Sequence, residues 1–149
     1  MKIPIPVSTV LAQKGSQVSS IRSDITVFDA ITMMAEKNVG ALPVIENDRL
    51  IGMISERDYT RKVAIKGKSS KQTWVREIMT QQLTVASPHD SIEECMRLMT
   101  EKHIRHLPIV EGSKMLGIVS IGDLVKWIIS AQAETIEQLQ KYINGSYPG

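Results

Sequence analysis

Gly52-Met53-Ile54-Ser55-Glu56-Arg57-Asp58 decides how this chain is read. Its first four residues read as a buried strand that ends at a serine. The last three read as the first turn of a helix that carries an aspartate. Such a junction gathers backbone N–H groups, a hydroxyl and a carboxylate at the end of a sheet, a setting that suits a phosphorylated ribose. The stretch returns 65 residues later as Gly117-Ile118-Val119-Ser120-Ile121-Gly122-Asp123.

Outward from both copies the same register holds. Val27, Ala30, Ile31 and Met34 stand opposite Ile92, Cys95, Met96 and Met99, and Leu42-Pro43 stands opposite Leu107-Pro108. The alignment runs without a gap from Val18/Leu83 to Tyr59/Leu124. One helix stripe, one proline, one hairpin and one Gly…Ser…Asp in a single register indicate an internal duplication. In the first copy Val27, Ala30, Ile31, Met34 and Ala35 recur at i, i+3, i+4, i+7 and i+8, which predicts an amphipathic helix. Asp24 and Thr26 are its candidate caps. A strand over 42–45 follows, with Pro43 suited to its start or edge. A turn at Glu46-Asn47-Asp48 and a return strand over 50–54 complete a hairpin, and a second helix is expected over 56–65. Units this small bury too little surface alone, so the two are expected to pack on each other about a pseudo-twofold axis.

The flanks are read in the same way. Residues 8–15 predict a short helix, capped by Ser8 and ended by Gly15. Residues 67–72 read as a solvated loop, and 74–79 as a short helix leading into the second copy. After Asp123 a long helix is expected to about residue 143. Leu124, Ile128, Ile136, Leu139 and Ile143 mark an apolar stripe on it that outruns the repeat. Its end is expected to pack on a partner subunit or to fold back and cap the domain. The organisation expected is thus an extension (1–15), a first repeat (16–66), a linker with a short helix (67–80), a second repeat (81–130) and a helical extension (131–149).

Composition excludes several function classes. With 42% hydrophobic and 23% charged residues, the 149-residue chain should fold as a globular protein. A net charge of +2 and only 4% aromatics argue against nucleic-acid binding by bulk charge or by base stacking. Cys95 is the one cysteine, so no intrachain disulfide forms and a reducing compartment is expected. Met1 to Pro6 lacks the long apolar core of a signal peptide. No apolar run reaches membrane-spanning length. The expectation is a cytoplasmic protein.

Two tandem copies of helix, Leu-Pro, hairpin and Gly-x-x-Ser-x-x-Asp resemble the cystathionine-β-synthase-type (CBS) domain pair, or Bateman module, over about residues 16–130. Ile104-Arg105-His106-Leu107-Pro108-Ile109-Val110 and Gly117 to Asp123 are especially typical. Ser55 to Lys62, with Lys66-Gly67-Lys68-Ser69-Ser70-Lys71 after it, is similar to a subgroup of stand-alone pairs with no enzyme, channel or transporter domain attached. The resemblance implies an α+β fold of two β-α-β-β-α repeats, and a homodimer of such pairs. It also implies two clefts that bind adenine nucleotides: AMP, ADP, ATP, S-adenosylmethionine or NAD(H).

Carried over residue by residue, Asp58 and Asp123 match the aspartates that hold the ribose hydroxyls, since a carboxylate accepts both protons. Ser55 and Ser120 match hydroxyls near ribose or phosphate. Arg105 and His106 match the basic pair that reaches phosphate in the Asp58 cleft, and Arg57 is placed to add a charge-assisted contact there. Across the Asp123 cleft the equivalents are Gly40 and Ala41, which bring no charge but admit close backbone approach. The Asp58 cleft is therefore expected to be the phosphate-rich one, and the Asp123 cleft to suit an adenosine half or nothing. The function implied is a nucleotide-sensing regulatory protein that signals to an unidentified partner. The rival reading is a ligand-free homodimeric scaffold.

Plainer readings stand beside these. Ser-x-x-Asp at a helix start is also a capping pattern. His103 and His106 lack the further ligands a metal needs, so no metal is expected. Cys95 falls on a core stripe. Gly67-Lys68-Ser69 imitates the end of a phosphate-binding loop, but Lys62 stands where that motif needs its first glycine, and a helix precedes it where a strand is required. No nucleophile with a placed base, no paired carboxylates in one cleft and no G-x-G-x-x-G fingerprint support catalysis.

Overall fold

The computed structural model describes residues 4–15 and 18–143. In chain order they form α1 (Ser8–Lys14), α2 (Val27–Lys37), β1 (Ala41–Glu46), β2 (Arg49–Ser55), α3 (Glu56–Tyr59) continued by a π-helical turn (Thr60–Ala64), α4 (Val75–Ile78), α5 (Ile92–Lys102), β3 (His106–Glu111), β4 (Lys114–Ser120) and α6 (Ile121–Ile143). Met1 to Ile3, and Ser16 at the expected start of the first repeat, lie outside the described residues.

The repeats are built alike from the same local chemistry. The Thr26 hydroxyl accepts from the Asp29 N–H and the Ser91 hydroxyl from the Glu94 N–H, each at 3.1 Å, which starts α2 and α5. Asn38 and His103 end them in the left-handed conformation, at φ 55° and 54°. The apolar stripes bury Val27, Ala30 and Met34 in one repeat and Ile92, Cys95 and Met99 in the other. Each stripe packs on an antiparallel hairpin in which Leu42 faces Ile54, or Leu107 faces Val119. Asn47 and Asp48 both have positive φ, as a two-residue hairpin turn demands. The first strand of each expected β-α-β-β-α unit is reduced to one parallel bridge, Ile21 to Val44 and Ala86 to Ile109. Ile21 stands between polar Ser20 and Arg22, and Ala86 between Val85 and Ser87.

Met53 and Ile54 bury opposite faces of β2. Ile54 joins its own repeat's core, and Met53 joins Ala41 and Ile118 in a layer between the repeats. That is why the strand reads as apolar on both faces.

The lead-ins cross over. The segment before repeat 1 completes the core of repeat 2: Val7 and Val10 are buried with Ile92, Leu107 and Leu124. The segment before repeat 2 completes repeat 1: Val75 and Ile78 are buried with Val27, Leu42 and Ile54. Backbone bonds match in pairs. The Val27 N–H donates to Thr73 O at 2.8 Å and the Ile92 N–H to Ile5 O at 2.9 Å. The Val75 N–H donates to Ile25 O at 2.9 Å and the Val7 N–H to Asp90 O at 2.8 Å. Gly52 and Gly117 lie under these lead-ins. A Cβ on Gly52 would come 2.7 Å from Met79 Sδ, and one on Gly117 2.8 Å from Leu11 Cδ2. Each buried Val or Ile contributes about 1.5–3 kcal/mol relative to exposure, so each repeat is completed by the other's leader.

Three local expectations are corrected. Ser8 does not cap α1: Val7 holds the cap position without a side-chain bond, and the Val7 and Ser8 N–H groups donate instead to Asp90 and Pro88 carbonyls of repeat 2. The helix expected over 56–65 is α-helical only to Tyr59, and the wider turn after it carries Val63 into the core. The end of α6 does not fold back, since residues 132–141 are exposed throughout. The side chain of Ile143, the last of its expected stripe, lies outside the described residues.

Candidate functional site: two unequal clefts at the seam

Both Ser-x-x-Asp junctions form reciprocal caps. The Ser55 N–H donates to Asp58 Oδ2 at 2.9 Å while the Asp58 N–H donates to Ser55 Oγ at 3.1 Å. The Ser120 N–H donates to Asp123 Oδ2 at 2.8 Å, and the Asp123 N–H to Ser120 Oγ at 3.0 Å. The first helical N–H groups are held by the opposite strand's leader, Glu56 to Gly40 O and Ile121 to Arg105 O, each at 3.0 Å. The capping reading is therefore correct, and the same caps fix each carboxylate at the edge of a cleft.

The Asp58 cleft is a cavity of about 290 Å³. Ser55, Arg57 and Asp58 line it from one repeat, and Arg105 and His106 from the other, as expected. Met53, Leu83, Ile104 and Pro108 give it an apolar wall. Arg57 crosses the seam and donates from Nη1 to His103 O at 3.2 Å. Asp58 Oδ1 lies 3.0 Å from Lys62 Nζ, one helical turn on, and 3.4 Å from Thr80 Oγ1. Thr80, Gln82 and Thr84, which the motif did not single out, also line this cavity.

The Asp123 cleft is larger, about 540 Å³, and gathers Gly40, Ala41, Ser120 and Asp123 as expected. Its expected lack of charge is overturned. Lys14 and Lys37 line it, and Lys14 Nζ pairs with Asp123 Oδ2 at 2.7 Å while donating to Ile118 O at 2.8 Å. Comparing only positions 65 apart missed Lys14, because it arrives on the crossed lead-in. Burial works to raise the Asp123 carboxyl, but the Lys14 ammonium and the Ser120 N–H hold it below its ordinary value.

His106 borders both clefts. Burial lowers its pKa first, then the Lys14 charge, with Arg105 adding to them and Asp123 and Glu56 opposing. It is therefore mainly a neutral imidazole at pH 7, and the positive charge of the Asp58 cleft falls to Arg57 and Arg105. Its ring lies over Gly40, where a Cβ would meet His106 Cε1 at 3.2 Å.

Other candidates resolve plainly. Cys95 is buried, and desolvation, with Asp90 and Glu94 nearby, pushes its thiol up to about 11, so it is inert packing at neutral pH. Among the described residues no group of three or more His, Cys, Asp or Glu could hold a metal ion. Among them, too, no helix is long and apolar enough to cross a membrane.

Comparison with known proteins bears on the whole of this arrangement. The family model for the CBS domain matches residues 15–65 and 75–130. The chain is 39% identical over 150 residues to the mitochondrial CBS domain-containing protein CBSX3 of Arabidopsis thaliana, covering 95% of this chain and 73% of that one. It is 37% identical over 117 residues to the CBS domain-containing protein YhcV of Bacillus subtilis, covering 78% and 83%. The solved structure of a protein with CBS domains from Burkholderia ambifaria MC40-6 superposes with a TM-score of 0.81 at 45% identity, over 85% of this chain and 96% of that one.

Proposed function

The chain belongs to the CBS domain family, as a tandem pair of regulatory type, and we propose that it binds an adenine nucleotide at the seam and signals its presence to a partner protein. The observation that carries this reading is the Asp58 cleft. A carboxylate fixed by its own helix cap, two guanidinium groups from opposite repeats and an apolar wall surround one cavity. Asp58 accepts from the ribose, Arg57 and Arg105 take phosphate, and Met53, Leu83 and Ile104 cover the base. AMP, ADP, ATP and NAD(H) share that chemistry.

The mechanism is linkage. A ligand that touches both repeats favours the packing in which both walls are in place, and shifts the population by its differential affinity. No chemical step is asked of the site, so the protein is not an enzyme in this reading. Its single buried thiol suits a reducing compartment, here the cytoplasm.

Calorimetry with AMP and NADH tests the assignment. Asp58→Ala and Arg105→Ala should each weaken binding by about 1–3 kcal/mol. Undiminished binding in both variants means the site is misplaced.

One observation favours the ligand-free scaffold: each aspartate is already satisfied by a serine cap and a lysine. A thermal-shift screen separates the two. A ligand at 100 times its dissociation constant adds about 2.7 kcal/mol of stability, whereas a scaffold shifts with none of these compounds. Either reading includes a homodimer. Val125, Ile129, Ile136 and Leu139 of α6 are exposed at spacings of four, seven and three residues, close to a coiled-coil seam interrupted at Gln132.

A further inference from the structure

The ammonium paired with Asp123 comes from outside the repeats. Lys14 is the last residue of α1 and pairs with Asp123 across 109 positions of sequence. Both partners are partly open to solvent, the lysine side chain at 41% and the aspartate at 26%. The ammonium sits on the same carboxylate oxygen that caps Ser120. In the other cleft Asp58 is paired with an ammonium from its own repeat, Lys62 Nζ at 3.0 Å, and the leader brings only a neutral hydroxyl, Thr80 Oγ1 at 3.4 Å. The difference comes from the lead-ins. After Met79 the chain leaves helix and pairs with Met53, while α1 runs three residues past Leu11 and delivers Lys14.

We propose that Lys14 is a displaceable counter-ion that sets the selectivity of the Asp123 cleft, favouring 5′-phosphorylated ribonucleosides over unphosphorylated ones: the ribose takes Asp123, and the released ammonium takes the phosphate. An ion pair this exposed is weak, and lysine is a point charge on a flexible stem that can turn to a new anion without rebuilding the wall. Lys37 lines the same cleft and adds to its positive potential. An unphosphorylated nucleoside gains no such compensation, because it must break the Lys14–Asp123 pair and leaves the ammonium only the neutral Ile118 carbonyl. The proposal rests on the nucleotide reading above and extends it to a lysine outside the repeats.

The test isolates the second cleft in an Asp58→Ala background and measures AMP and adenosine by calorimetry. Asp58→Asn, whose amide oxygen can still cap Ser55, takes its place if the alanine variant melts early. Adding Lys14→Gln should weaken AMP about tenfold, the loss of one charge-assisted contact, while adenosine binds as before or more tightly. Lys14→Arg should keep AMP. If Lys14→Gln weakens both ligands equally or neither, the lysine is only a clamp and the proposal is overturned. If the parent binds one AMP per chain and the Asp58 variant none, the nucleotide reading stands and the Lys14 proposal falls. If the parent binds no adenine nucleotide, both fall.

Discussion

Gly52→Ala is the sharpest test of the crossed lead-ins. The new methyl group would stand 2.7 Å from Met79 Sδ, 3.1 Å from Met79 Cγ and 3.2 Å from Thr80 O. The methionine end can turn away, but the carbonyl cannot: Met53 and Thr80 exchange two backbone bonds, at 2.8 and 3.0 Å, that hold it over the strand. Overpacking of this kind costs about 1–3 kcal/mol. At this chain length 2 kcal/mol lowers the melting temperature by about 4–8 °C. Gly117→Ala is the internal control. The three atoms nearest its methyl group all belong to the Leu11 side chain, at 2.8, 3.5 and 3.7 Å, and a shifted leucine rotamer costs about 0.5–1.5 kcal/mol. Urea unfolding followed by circular dichroism, with Trp74 and Trp127 as fluorescent reporters of the two repeats, measures both. Gly52→Ala should keep most of its cost in a Met79→Ala background, because the Thr80 carbonyl stays in place. The reasoning is refuted if Gly52→Ala is no more harmful than Gly117→Ala, or if its cost vanishes without Met79.

Three further outcomes follow from charge and exposure. His106 has a folded pKa below 6.5, so the unfolded chain binds a proton that the folded chain declines. The stability this residue contributes is present above pH 6.5 and is lost as pH falls below it; melting curves between pH 8 and 5 should show the loss, and His106→Gln should reduce it. Lys14→Gln removes a positive neighbour and should raise the His106 pKa, read from its imidazole signals by NMR. On α6, Ile136→Glu and Leu139→Glu touch side chains that are 56% and 57% exposed. They should leave the fold intact and convert a dimer to a monomer in light scattering; a variant that still runs as a dimer places the interface elsewhere.

The sequence displayed the repeats because their structure is local. The helix stripes, the Leu-Pro strands and the Ser-x-x-Asp caps are short-range patterns, and each survives at a spacing of 65 residues. The crossing of the lead-ins was not legible. Val7 and Val75 are 68 residues apart, as are Leu11 and Met79, and one lead-in helix is longer than the other, so the 65-residue register of the repeats does not expose them. The cleft residues split in the same way. Asp58, Arg57, Arg105 and His106 belong to the repeat and were found by it. Lys14 and Thr80 belong to the leaders and depend on where the chain turns after α1 and α4. The positive φ of Asn38 and His103 was hidden for a different reason, since neither is the glycine that usually marks a helix end.

The crossed leaders also limit what a ligand can do mechanically. Pulling the repeats apart would uncover Val7 and Val10 on one side and Val75 and Ile78 on the other, all of them less than 5% exposed. At about 1.5–3 kcal/mol for each side chain, that cost exceeds what one bound nucleotide returns at 100 times its dissociation constant, about 2.7 kcal/mol. Opening of the pair is therefore not an available signal. A small rotation about the Met53–Ile118 layer would cost less, because it would keep those apolar side chains buried. Such a rotation moves the carboxylate of one repeat relative to the Arg105 or Gly40 wall of the other, and this is the coordinate a ligand in either cleft would fix. It also moves α1 with repeat 2, because Leu11 is seated on Gly117. A change at the seam thus reaches the surface on α1 and α6, which pack together, before it reaches either hairpin turn.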